Sequence, residues 1–197
     1  MNQGYLQSIV PSPDLAWFAA DAGRALYVLG RYEQANAWLQ LVQPKAAGDP
    51  QAAAAASALA VYARIAGVGA PLAWDPASLA AWRQANGNSE GAQRLLGVFD
   101  GLGEPLGGGL SMVGQPASAD GSAGKPPDPA LLFGLGDASS NHRIGETVVL
   151  ALYALGADGP AGCNPLSLAR VIASLRQVGL DNEARAVAIE AAVAAGV

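Results

Sequence analysis

The sequence predicts an all-α fold, either an irregular array of helical hairpins or a helical bundle, interrupted by one long Gly/Pro-rich loop. Three observations carry that prediction. Alanine makes up much of the 51% apolar content while charged residues reach only 14%, and alanine is the strongest helix former and lets helix axes approach closely. Apolar residues recur with a helical period rather than in alternation. Five times, an Asx or serine residue stands directly before a proline: Ser12-Pro13, Asp49-Pro50, Asp75-Pro76, Asp128-Pro129 and Asn164-Pro165. A side-chain oxygen at N-cap accepts from unpaired N–H groups of the first turn, and proline at N1 lacks an N–H that would have had no partner.

In chain order, a helix near 13–30 opens at Ser12-Pro13 and stops at Gly30, within "ALYVLG" (25–30). The next, near 32–46, places Ala35, Trp38, Leu39 and Val42 at i, i+3, i+4, i+7. A third, 50–67, runs from Asp49-Pro50 to Gly67. A fourth, 76–86, follows Asp75-Pro76, with Trp74 placed to act as a hydrophobic staple. A fifth, 89–101, carries Ala92, Leu95, Leu96 and Phe99 on one face. A sixth, 142–156, ends in "ALYALG" (151–156), nearly the same six residues as the first helix end. The last two, 165–178 and 181–195, are bounded by Asn164-Pro165, Gly179 and Gly196, and the second packs Ala184, Val187, Ala188 and Ala191.

Residues 102–129 have no period and are rich in Gly, Pro, Ser and Ala. A connection this long is uncommon inside a compact domain, and it reads as a functional loop, an ordered wrap or a linker. It would divide the chain into a five-helix block, 1–101, and a three-helix block, 130–197.

"AGRALYVLGRYEQANAWLQLV" (22–42) places Gly23 mid-helix, stops at Leu29-Gly30, turns at Tyr32 and sets Ala35, Leu39 and Val42 on one face. "ASLRQVGLDNEARAVAIEAAV" (173–193) follows the same plan about Gly179. This resembles a tetratricopeptide (TPR) repeat, over residues 13–47 and 165–196. Asp181 takes the place of Tyr32 in the second copy, "ALYALG" runs into "ADGPAGCNP", and 50–101 does not keep a 34-residue period. The resemblance implies hairpins that cannot bury their apolar faces alone and do so by stacking.

The chain carries 11 Lys+Arg, two of them lysine, against 16 Asp+Glu, a net charge of −5. That sign is wrong for nucleic-acid binding driven by counterion release. The longest uncharged apolar stretch, Ala52 to Ala63, is shorter than the roughly 20 residues a membrane span needs. The N-terminal residues do not have the pattern of a secretory signal, and the compartment stays open. Cys163, the single cysteine, sits in a turn as a small residue and excludes an intrachain disulfide.

His142, the single histidine, with Glu146 four residues on, is the candidate acid–base pair; the bland alternative is a helix N-terminus capped by Asn141. No metal-ligand spacing and no nucleotide loop are present, since "GLGEPLG" and "GLGD" lack GK[ST] and follow helical segments. No cofactor is therefore expected. Trp17, Trp38 and Trp82 read as core. Arg24, Arg31, Arg64, Trp74, Arg170 and Arg176 are the candidate binding residues, since arginine and exposed aromatics are the usual anchors on a concave surface.

The expectation is a non-enzymatic helical-repeat scaffold that binds a protein or peptide partner, or the remainder of a longer chain of which this is a piece. The second expectation is a small enzyme or a small-molecule or glycan-binding protein, with its site between His142 and the 102–129 loop. A mean hydropathy of +0.24 adds self-association into a homodimer to the expected partners.

Overall fold

The computed structural model describes residues 8–69, 90–104 and 128–196. All regular structure among these residues is helical. The chain divides into two compact units, Met1–Ala73 and Trp74–Val197. The expected helix at 76–86, the Asp75-Pro76 cap, Trp74, Trp82 and most of the 102–129 loop lie outside the described residues.

In the first unit, Pro13–Phe18 forms a 3-10 turn, and α1 (Ala19–Val28) continues from it. α2 (Tyr32–Val42) and α3 (Pro50–Ala66) complete a set of three helices that all pack on one another. The expected single helix over 13–30 is thus split, because Ser12 makes no side-chain cap bond and the first turn winds more tightly. Trp38 is buried with the ring of Phe18 edge-on to it at 6.2 Å. Tyr27 is stacked between Tyr62 of α3 at 5.7 Å and Tyr32 of α2 at 6.4 Å. α1 reaches α3 closely at Gly23, where a Cβ would lie 2.5 Å from a Leu59 methyl group.

The second unit holds α4 (Glu90–Gly101), α5 (Pro129–Ser140), α6 (Ile144–Leu155), the single turn α7 (Gly159–Gly162), α8 (Pro165–Gln177) and α9 (Asp181–Ala194). α8 is central and packs against α4, α5, α6 and α9; Leu168, Val171 and Ile172 on it are fully buried. α4 lies on α8 through glycines. A Cβ at Gly97 would stand 2.5 Å from the Pro165 carbonyl oxygen, and one at Gly101 2.7 Å from that of Ala169. The two helices therefore run the same way at a distance that only glycine permits. That packing places α4 with the C-terminal helices, so the boundary between units falls at 73/74, upstream of the loop that composition had marked as the divider.

α5 lies just past the expected 102–129 loop, where the sequence marks a helix start at Asp128-Pro129 but shows no helical period. Asp128 is its N-cap, accepting from the Ala130 N–H at 2.9 Å, as Asp49 accepts from Gln51 and Asn164 from Leu166 at the same distance. Gly134 and Gly136 inside "LLFGLGDASS" weaken its local helix signal by about 1 kcal/mol each. Packing against α6 and α8 offsets that cost. Arg94, almost fully buried, ties α4 to α9. Its Nη1 donates to the Ala194 carbonyl at the end of α9 (3.3 Å), and its Nη2 pairs with Glu90 at 2.7 Å. A guanidinium at a helix C-terminus opposes the partial negative charge there.

Candidate functional site

α5 and α8 also run side by side in the same direction, with Gly136 beside Arg170 and the Ser139 hydroxyl donating to Gln177 Oε1 at 2.9 Å. α8 thus has α4 on one flank and α5 on another. Between the last turn of α4 and the first turns of α5 and α8 lies a cavity of about 450 Å³. This is within the range of small-ligand and side-chain pockets. Pro129, Leu132 and Phe133 of α5 and Leu166, Ala169 and Ala173 of α8 make its apolar walls, and Asp100 and Arg170 bring the charge. Phe133 and Leu166 are exposed at its edge, Phe133 to 75%. The two Asx-Pro caps build this site, since they fix where α5 and α8 begin and hence which first-turn side chains face the space.

Asp100 is on the last turn of α4, half-buried. Burial among apolar groups raises its pKa above the ordinary carboxylate value, and a carboxylate at a helix C-terminus gains nothing from the helix dipole. Arg170 lines the same cavity and is in no ion pair among the described residues, in contrast to Arg94 with Glu90, Arg143 with Asp137 and Glu146, and Arg176 with Asp181. Its guanidinium lies across α5 where Gly136 leaves room; a Cβ there would come within 2.8 Å of Nη2. The pocket therefore offers an apolar interior with one cation and one half-buried carboxyl that do not neutralise each other. It holds no arrangement of nucleophile and base.

The other residues singled out from the sequence are scattered. His142 is outside any helix, at φ 53° in the turn between α5 and α6, and exposed. Asn141 is the last residue of α5's end and not the start of α6; its side chain donates to Asp137. α6 begins at Ile144, so His142 and Glu146 do not share a helical face. Glu146 is instead paired with Arg143 at 2.8 Å, and Arg143 also binds Asp137. Arg176 is a clamp: it donates to the Leu102 carbonyl and pairs with Asp181 at 3.4 Å, holding the end of α4 against α8 and α9. Arg24, Arg31 and Arg64 belong to the first unit. Arg24 Nε is buried without a hydrogen-bond partner, Arg31 is exposed at the start of α2, and Arg64 is half-buried on α3. Of the binding candidates among the described residues, Arg170 alone lines the cavity.

Asp100, Leu132, Phe133 and Leu166 went unnoticed in the sequence. The signal that could have found them is Asp128-Pro129, which starts a helix and so carries Leu132 and Phe133 to the first turns beside Leu166. Burial pushes the Cys163 thiol up to about 11, with Arg94 drawing it partly back; such a thiol is a poor nucleophile. Among the described residues no group of three or more His, Cys, Asp and Glu is placed to hold a metal ion, and no helix is long and apolar enough to cross a membrane. No protein-family model, curated protein or solved structure matches the chain.

Proposed function

We propose that the chain is a non-enzymatic helical interaction domain, built from TPR-like hairpins, that takes up an apolar segment of a protein partner in the pocket between α4, α5 and α8. The observation that carries this reading is the pocket's chemistry: apolar walls open at Phe133 and Leu166, with Arg170 unpaired at the side. A leucine- or phenylalanine-sized anchor fits the volume, and its burial contributes about 1.5–3 kcal/mol. Arg170 gives orientation by meeting a carboxylate on the partner, through the bidentate geometry a guanidinium favours. The antiparallel pairs α1–α2 and α8–α9, which cover the two stretches with TPR resemblance, support the scaffold part of the reading.

The test is a selection of binders from a random peptide library on the purified chain, followed by affinity measurement on Ala173→Phe, which fills the pocket floor, and on Arg170→Ala. Selected peptides should share an apolar anchor and an acidic residue. Ala173→Phe should weaken them at least ~10-fold, the minimum set by losing one buried anchor, and Arg170→Ala should remove the acidic preference. Peptides that bind both variants as well as the parent chain would refute the reading.

A further inference from the structure

The cavity between α4, α5 and α8 has two charged poles that the chain leaves unmatched. Asp100 lines it from the last turn of α4, and Arg170 lines it from α8. Among the described residues neither side chain has a hydrogen-bond or ion-pair partner. Burial alone raises the Asp100 carboxyl above its ordinary value, whereas an arginine close by would lower it. The other charges on the surrounding helices are engaged elsewhere. Arg176 of α8 donates to the Leu102 carbonyl and pairs with Asp181 of α9. At the start of α5, Asp128 accepts from the Ala130 N–H, and at its far end Asp137 pairs with Arg143. On α4, Glu90 pairs with Arg94, and Glu183, Arg185 and Glu190 of α9 do not line the cavity.

Helix direction adds to the separation of charge. α4 ends at the cavity, so the partial negative charge of its last carbonyls falls on the side of Asp100. α5 and α8 begin there, and the partial positive charge of their first N–H groups adds to Arg170. We propose that the partner segment taken up here is bipolar: its apolar anchor stands between a carboxylate that meets Arg170 and a lysine or arginine that meets Asp100. This rests on the reading of the pocket as a peptide site, and it makes Asp100 a second specificity-determining residue of that site.

Charge complementarity selects this occupant. A segment with an acidic residue alone would fill the apolar walls and pair with Arg170. It would also strip water from the Asp100 carboxylate and leave that charge beside a helix C-terminus with no cation. A basic residue alone would leave Arg170 unmatched. The two together satisfy both poles and bring no net charge into the cavity. The dimensions suit one short anchor between them. A rounded cavity of about 450 Å³ is roughly 10 Å across, which an extended chain covers in about three residues at ~3.3 Å each. A two-residue apolar anchor therefore sets its flanking charges at opposite ends of the cavity.

The test measures capped peptides with a leucine–phenylalanine anchor against the full chain. The anchor is flanked by glutamate and lysine, or by glutamate and uncharged norleucine, each pair made in both orders. In its better order the glutamate–lysine peptide should bind about fivefold tighter than its norleucine counterpart, the upper range for a partly solvated ion pair. Asp100→Asn should abolish that gain without changing the affinity for the norleucine peptide, and Arg170→Ala should keep the gain. On the unsubstituted chain, carbon-13 NMR titration of the Asp100 carboxyl should show its pKa lowered by the lysine peptide and not by the norleucine one. This titration decides the matter even if Asp100→Asn does not fold. Equal binding of the two peptides, a lysine gain that persists in Asp100→Asn, or an Asp100 pKa that the lysine peptide fails to lower overturns the proposal and leaves the peptide site standing. If neither peptide binds, the site and the proposal fall together.

Discussion

Two nearly identical hexapeptides end two helices of this chain in opposite surroundings. In "ALYVLG" of α1, Leu26 and Tyr27 are each 1% exposed; in "ALYALG" of α6, Leu152 and Tyr153 are 63% and 74% exposed. The first stretch is helical to Val28 and the second to Leu155, and each stops at a glycine with positive φ, Gly30 at 69° and Gly156 at 73°. Both stretches are helical through the Leu-Tyr pair, and the burial of that pair is reversed. After Gly30 the chain turns at once into α2, with the Arg31 N–H donating to the Leu26 carbonyl at 2.9 Å, and α2 and α3 close over that face. After Gly156 it runs on through α7, and α5 and α8 pack on α6, whose buried residues are Thr147 and Ala151. A hexapeptide carries helix propensity and a stop; which of its faces is covered depends on the neighbouring helices, outside the hexapeptide itself.

The largest break in this symmetry is expected from truncation. Leu26→Ala should cost about 3 kcal/mol of unfolding free energy by the cavity it leaves, and Leu152→Ala no more than ~0.5 kcal/mol. Denaturant melts at low protein concentration give both values, and equal losses would mean that α6 is covered. Glycines sharpen the contrast next. Gly97→Ala drives a methyl into the Pro165 carbonyl and should destabilise by about 2 kcal/mol. Gly145→Ala, in open space within a helix, should stabilise the chain by about 0.5 kcal/mol.

A smaller effect concerns the tyrosine hydroxyls. Tyr27 Oη is buried without a hydrogen-bond partner, so Tyr27→Phe removes an uncompensated polar atom and should raise stability by about 1 kcal/mol. Tyr153→Phe, at a solvated position, should leave stability unchanged.

The smallest is a pH dependence. Burial holds the Tyr27 phenol far above its ordinary value, with Glu33 adding to the shift, and burial raises Tyr62 as well, against the pull of Arg24. The folded state keeps protons that the unfolded state releases, so this stability is complete below about pH 10 and is lost as pH rises beyond it. Cys163 acts in the same sense, its thiol being pushed from its ordinary value of 9.0 up to about 11. Alkaline titration of the melting temperature should show the decline, and Tyr27→Phe should make it shallower. A melting temperature that rises with pH above 9 would contradict the sign.

Several elements were legible from local sequence. Asp49, Asp128 and Asn164 each accept from the N–H two residues on at 2.9 Å, and the glycine stops at Gly30, Gly67, Gly156, Gly179 and Gly196 all have positive φ. α5 was hidden because Gly134 and Gly136 read as loop, although its cap was visible. The pocket was hidden for the same reason, and Arg170 was one of several arginines that the sequence could not rank.

What the sequence determined by itself is where helices begin and end. Caps and stops are made within four or five residues, so their physics is contained in the string that encodes them. What the tertiary structure alone decided is which faces those helices cover: that α4 lies on α8 through Gly97 and Gly101, that Asp100 meets Leu132 and Arg170 across one cavity, and that Tyr27 is buried while Tyr153 faces outward. Burial is a contest among distant apolar faces for the same neighbours, and two hexapeptides that differ at one residue enter it with equal claims.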